Sequence, residues 1–274
     1  MAPFLPPRDW TDIHWPDIAD ATPARWIAVL PLAATEQHGP HLPLGTDVMI
    51  AQAHLERVRE LLPAAIPAVF LPIQPVGIST EHIGYPGTLT LPTDVSLKAW
   101  KALGESVARA GIRKLVMVTS HGGNSAAMTL VAQDLRAQHG LLAVTTGWYR
   151  FGAPEGLFSA EELRHGIHGG AVETSIMLAR YPQHVRGEKI VDFRSAGMAM
   201  EKDYRWLSAN RPAPLAWQVQ DLHTSGAVGN ATQASAEKGQ RMLDHSARAF
   251  CELLADVDNF DVNKLAGGPD IFSR

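Results

Sequence analysis

The chain has 274 residues, 46% of them hydrophobic, a formal net charge of -4 and one cysteine, Cys251. That length fits a single α/β domain spanning residues 1–274, with enough apolar content for a sizeable core. The acidic balance and the lack of a dense Lys/Arg run exclude the broad basic surface that a nucleic-acid backbone requires.

One cysteine cannot form an internal disulfide, and the opening MAPFLPPRDW lacks a basic region followed by an apolar signal core, so a reducing cytoplasm is expected. The longest apolar run, residues 61–73, is shorter than a membrane span and is interrupted by Pro63, Pro67 and Pro72. No membrane partner is expected.

In chain order, residues 25–32 read as a buried strand that ends in turn chemistry at Gly39-Pro40. Thr46 or Asp47 suits the N-cap of a helix running to about residue 62, since apolar positions recur there at helical spacing. A strand follows near 69–75. Thr93 caps a helix over 94–110, Gly111 stops it, and 112–119 forms another buried strand ending on Ser120-His121-Gly122-Gly123-Asn124. A helix over 125–138, a stop at Gly140 and a strand at 141–146 continue the rhythm. Strands alternating with helices imply an α/β fold with a mostly parallel central sheet flanked by helices, and such sheets bind ligands beyond the carboxyl ends of their strands. Farther on, a helix starts near Gly170 and a long helix covers about 232–254. Residues 186–230 show no clear period and read as loop and cover.

The chemistry concentrates at the strand ends. Glu36 and His38 are two apart, so in extended chain they point the same way, and Asp47 returns across a tight turn built from Gly39, Pro40, Pro43 and Gly45. His121 ends a second strand and joins the cluster if the two strands are neighbours. Glu173 falls in the first turn of the helix after Gly169-Gly170, where a carboxylate gains from the helix dipole. Each residue also has a plainer reading: a surface Glu-X-His, an N-cap at Asp47, a turn histidine, a helix-start charge. The conjunction of two imidazoles and three carboxylates matches the mixed N/O ligand sets of divalent transition metals. Three carboxylates, two divalent ions and one bridging hydroxide also sum to zero charge, whereas the same groups without metal would repel.

Four ordered motifs, EQHGPHLP at 36–43 with Asp47, EHIGYPGT at 81–88, HGGN at 121–124 and HGGAVETS at 168–175, together resemble the creatininase (creatinine amidohydrolase) family over about residues 20 to 245. The resemblance implies an α/β fold, homohexamers, and a centre of two divalent ions, Zn, Mn or Fe, that hydrolyses C–N bonds in cyclic amides, formamides or peptides. Carried over by position, Asp47 bridges the ions, Glu36 and His121 hold one, and His38 the other. Two departures matter. Creatininase has a Glu where Gly123 stands, which makes Glu173 the candidate replacement ligand, as the HGGN branch of the family suggests. It has a Trp in its creatinine pocket where Arg164 stands, which argues against creatinine as the substrate and admits either a rim Arg for an anionic or hydroxyl-rich substrate or a solvated side chain without a role.

The expected activity is therefore metal-assisted amide hydrolysis of a small molecule. His168 is placed to carry the proton to the leaving nitrogen, with Glu173 beside it, unless it only caps or packs at the helix start. His82, Tyr85 and Arg164 are the candidate substrate-binding residues. Trp148, Tyr149 and Phe151 form either an apolar wall or ordinary core. A lyase or isomerase acting on a sugar-like substrate could use the same centre, and a catalytically silent relative would be expected to have lost ligands.

Overall fold

A computed structural model describes residues 5–21 and 23–265. The first four residues of MAPFLPPRDW and the last nine of the chain lie outside the described residues. The elements in order are α1 (Trp15–Asp20), β1 (Ile27–Leu32), α2 (Thr46–Leu61), β2 (Ala68–Phe70), α3 (Thr93–Arg109), β3 (Lys114–Thr119), α4 (Ser125–His139), β4 (Leu142–Gly147), α5 (Ala160–His165) and α6 (Ala171–Arg180). Two-residue strands β5 (Asp192–Phe193), β6 (Leu207–Ser208), β7 (Ala213–Pro214) and β8 (Gly229–Asn230) follow, interspersed with α7 (Gly197–Asp203) and α8 (Val219–Leu222), before α9 (Ala236–Asn259).

The central sheet has the order β2-β1-β3-β4 and is parallel throughout. β1, β2 and β3 are short aliphatic runs buried on both faces, the edge strand β4 is partly buried, and alternate side chains divide between two cores. Ala28, Leu30, Leu115 and Met117 pack with Trp100 and Val107 of α3 and with Met128, Val131 and Leu135 of α4. Ile27, Val29, Val116 and Val118 pack with Leu55 and Val58 of α2 and with Phe250 and Leu254 of α9. A third cluster joins α2, α6 and α9 through Ile50, Ile176 and Met242. Gly239 of α9 lies against the Ser175 carbonyl so closely that a Cβ would overlap it, which is how α6 reaches its position.

This order places the site. From β1 the chain crosses to β2 on one side, and β3 then returns to the other side, so a crevice opens between the carboxyl ends of β1 and β3. The two strands run in register, with Leu32 opposite Thr119. Glu36 and His38 therefore leave one strand beside the point where His121 leaves the other.

Several expected boundaries shift for physical reasons. The strand anticipated at 69–75 stops at Phe70, because Pro72 and Pro75 have no N–H for the ladder; one bridge, Leu32 with Gln74, continues it. The last helix begins at Ala236, where the Ser235 hydroxyl accepts the Lys238 N–H, and the expected first turn at 232 is a separate 3-10 turn. The segment 186–230 holds the short pieces named above and a 3-10 turn at Gly187–Lys189. No helix of the described residues is long and apolar enough to cross a membrane.

Candidate metal centre

Gly45, not Asp47, occupies the N-cap position of α2, and the Asp47 carboxylate caps nothing. It turns inward to the cluster instead. Asp47 Oδ1 lies 3.7 Å from His38 Nε2 and Oδ2 lies 3.5 Å from His121 Nδ1. Glu36 Oε1 is ringed by four imidazole nitrogens: His121 Nδ1 at 3.1 Å, His82 Nε2 at 3.5 Å, His168 Nδ1 at 3.7 Å and His38 Nε2 at 3.9 Å. Glu36, His38, Asp47, His121 and His168 are all at least 95% buried.

Among the described residues, three sets of side chains bring ligand atoms within 4.8 Å of one another: Glu36, Asp47 and His121; His38, Asp47 and Glu173; and Glu36, His38 and His168. The first two share Asp47. Both Glu36 carboxylate oxygens, Asp47 Oδ2 and His38 Nε2 are buried without a hydrogen-bond partner among the described residues. Polar atoms of this kind are costly to bury, and carboxylates and imidazoles converging in this way form the donor set of a divalent cation. The residues fit a metal.

The electrostatics agree. Burial alone would raise the Glu36 pKa, but His121, His82 and His168 outweigh it and hold the carboxyl well below its ordinary range. Burial pushes Asp47 up. Burial also disfavours charge on His38 and His121, yet Asp47 lifts His38 to about 9 and Glu36 lifts His121 to about 10. Without metal the cluster thus draws protons onto the very rings that face its carboxylates, as a cation site does.

Backbone contacts aim the rings. His38 Nδ1 contacts the Glu36 carbonyl at 3.0 Å, leaving Nε2 for the cluster; His121 Nε2 contacts the Ile78 carbonyl at 2.7 Å, leaving Nδ1. Glu173, in the first turn of α6, accepts the Gly169 N–H through Oε2 at 2.6 Å, and burial raises its pKa to about 7. His168 places Nε2 at 2.6 Å from the Gln37 carbonyl and faces Glu36 with Nδ1.

The structure also accounts for Gly123. A Cβ there would lie 2.5 Å from Glu81 Oε1 and 2.6 Å from the Ile78 carbonyl, so the position leaves no room for a side chain. Glu81 occupies that space, 3.4 Å from His121 Nε2.

Of the other sequence-derived candidates, His82 joins the cluster, while Tyr85 and Arg164 have partners elsewhere. His82 is buried in the cluster and stacks on His168 with ring centroids 4.0 Å apart. Tyr85 packs against the small cluster of Ala209, Val219, Leu222 and Val228 and donates its hydroxyl to the Thr224 carbonyl. Arg164 is exposed, with its guanidinium engaged by Glu201. Trp148 belongs to the core, stacked on His54 and edge-on to Phe250, and Phe151 packs there too; Tyr149 alone of the three is exposed.

Sequence reasoning passed over Gln37, Glu81, His41 and Glu162. His41 Nε2 contacts the Gly169 carbonyl and the Thr174 hydroxyl, bracing the turn before α6. Glu162 is 3% exposed, and its carboxylate accepts the Ala171 and Asn230 N–H groups, each at 2.6 Å. Gln37, His41 and Glu81 stand inside the quoted motifs, which is the one signal that marked them; Glu162 had none.

A family model described as creatinine amidohydrolase matches residues 11–254. The chain belongs to the creatininase family. It is 33% identical over 247 residues to the mycofactocin precursor peptide peptidase of Mycobacterium tuberculosis, covering 84% of this chain and 86% of that one. It is 28% identical to the creatinine amidohydrolase of Pseudomonas putida, covering 84% and 89%. The fold matches a putative creatinine amidohydrolase from Bacteroides fragilis with a TM-score of 0.76 at 23% identity, covering 92% and 97%. The chain is accordingly a creatininase-family hydrolase acting on carbon–nitrogen bonds.

Proposed function

We propose that this chain hydrolyses an amide C–N bond in a small peptide-like molecule, using a dinuclear centre. The observation that carries the reading is the sharing of Asp47 between two ligand groups, one with Glu36 and His121 and one with His38 and Glu173. The peptide-like substrate is favoured by the relative named as a precursor peptide peptidase, and a free amide, formamide or lactam is the next class.

Divalent ions there would supply Lewis-acid polarisation of the scissile carbonyl and a water acidified enough to act near neutral pH. The chain's own groups do the rest. Glu36 and Asp47 supply negative charge fixed before substrate arrives, because burial among backbone-aimed imidazoles denies them other partners. His168 exposes Nδ1 to the cluster, where it can accept a proton and pass it to the leaving nitrogen.

Metal analysis of the isolated protein, followed by assay against short peptides, formamides, cyclic ureides and lactams in oxygen-labelled water, tests this. Label in a product carboxylate supports hydrolysis; conversion without label points to the lyase or isomerase alternative, and no metal sinks the reading.

Glu173 carries a separate expectation. Gly123 offers no ligand, so the ion held by His38 and Asp47 needs a third protein group, and Glu173 lies within that set. Glu173→Gln should reduce bound metal from about two ions to about one, since the amide keeps the shape and loses the balancing charge. Unchanged loading and affinity, read by mass spectrometry and competition with a chelator, would assign Glu173 to bracing the Gly169 turn.

A further inference from the structure

Gln37 lies between the backbone and two imidazoles, and the backbone dictates which way its amide points. Oε1 accepts the Gly39 N–H at 2.9 Å, and Nε2 donates to the Gly226 carbonyl at 2.8 Å. Reversed, the amide would set oxygen against oxygen and N–H against N–H. The second Nε2 hydrogen then faces His82 Nδ1 at 2.8 Å. An amide nitrogen cannot accept, so His82 Nδ1 must, and the single ring proton of neutral His82 sits on Nε2. A further contact, Gln37 Nε2 to His168 Nε2 at 3.3 Å, does not compete, because that imidazole nitrogen already donates to the Gln37 carbonyl at 2.6 Å.

His82 is thereby the reverse of its neighbours. In neutral His38, His121 and His168, one nitrogen donates to a backbone carbonyl and the other faces the cluster as a bare lone pair. In His82 the bare nitrogen faces Gln37, and an N–H points inward, 3.5 Å from Glu36 Oε1. The ring is 2% exposed and stacked on His168, so it is held in that orientation.

We propose that His82 stands outside the metal-ligand set and donates Nε2–H to the scissile carbonyl oxygen of the substrate, with Gln37 as the positioning residue that sets its polarity. This rests on the hydrolase reading. A planar amide nitrogen has its lone pair delocalised and accepts poorly, whereas the carbonyl oxygen accepts well and gains negative charge as the carbon becomes tetrahedral. A donor already oriented before that charge develops stabilises the transition state more than the ground state.

Three measurements decide it. Long-range proton–nitrogen NMR on isotope-labelled protein, zinc-loaded and metal-free, should show His82 protonated at Nε2 and bare at Nδ1; the opposite tautomer overturns the assignment. His82→Ala should keep the wild-type metal content while kcat/KM falls by about two to three orders of magnitude. His82→Gln, whose amide N–H reaches near the lost Nε2–H, should recover about tenfold of that loss. Metal lost from His82→Ala would make His82 a ligand or a support for Glu36, and an unchanged kcat/KM would remove it from the reaction; either overturns the proposal. A wild-type protein that cleaves no amide would defeat the hydrolase reading and the carbonyl contact together. An inverted tautomer in an active enzyme would defeat the His82 assignment alone.

Discussion

Asp47→Ala should yield a folded protein that retains little metal and hydrolyses nothing. Asp47 is the one side chain common to the Glu36–Asp47–His121 and His38–Asp47–Glu173 groups, so its loss leaves each with two protein ligands. It also removes one of three carboxylates that offset the charge of two divalent ions. The fold has little reason to fail. Asp47 makes no capping hydrogen bond, its backbone carbonyl still accepts the Ser120 hydroxyl at 2.8 Å, and the dipole interaction forgone in the first turn of α2 is worth about 0.3–1 kcal/mol. Removing a buried carboxylate that has no hydrogen-bond partner at Oδ2 offsets part of that. Circular dichroism and a thermal melt of the metal-free proteins should therefore nearly coincide. His38 offers an internal check: burial lowers its pKa and Asp47 is the foremost influence raising it to about 9, so in metal-free Asp47→Ala its titration should move downward. Full metal loading with activity would defeat the dinuclear centre.

How far this site can be read from sequence depends on the distance over which each contact forms. Glu36, His38 and Asp47 are close in the chain and sit between a buried strand and an amphipathic helix, so their convergence follows from local geometry. His121 required one further condition, the adjacency of β1 and β3, and the in-register pairing of Leu32 with Thr119 meets it. The helices on either side of the sheet were legible for the same reason, because a 3.6-residue period and a buried aliphatic strand leave strong marks.

What escaped depends on remote partners. Gln37 is oriented by Gly226, 189 residues away, and Glu162 closes on Asn230, 68 residues away, through single hydrogen bonds that impose no periodicity on the chain. Where the sequence left alternatives open, at Arg164 and Trp148, the partners are remote as well: Glu201 engages Arg164 on the surface, and His54 and Phe250 receive Trp148 in the core. The irregular segment 186–230 is closed on itself by two-residue ladders and tied to the site by the His168–Val228 bridge, pairings too short for any repeating pattern.

His168→Ala should retain the metal complement of the parent protein while kcat falls by about two to four orders of magnitude. The ring is packed between His38, with centroids 4.2 Å apart, and His82, at 4.0 Å, and its Nε2 is committed to the Gln37 carbonyl. Only Nδ1 is left to work, facing Glu36 at 3.7 Å. Burial, and after it the neighbouring His38 and His82 imidazoles, hold its pKa well below the ordinary imidazole value, so near pH 7 the nitrogen is free to take a proton. A group that accepts a proton from the attacking water and returns it to the leaving nitrogen speeds the step in which that nitrogen departs. The penalty in His168→Ala should therefore depend on the substrate. An alkyl amine leaving group must be protonated to depart and should show the full loss, whereas an electron-poor anilide, which departs more readily as an anion, should show a smaller one. The competing role is ligation, since Glu36, His38 and His168 also bring ligand atoms within 4.8 Å of one another. Metal lost from His168→Ala, with equal penalties for both leaving groups, would assign His168 to the ion and leave proton delivery to another group.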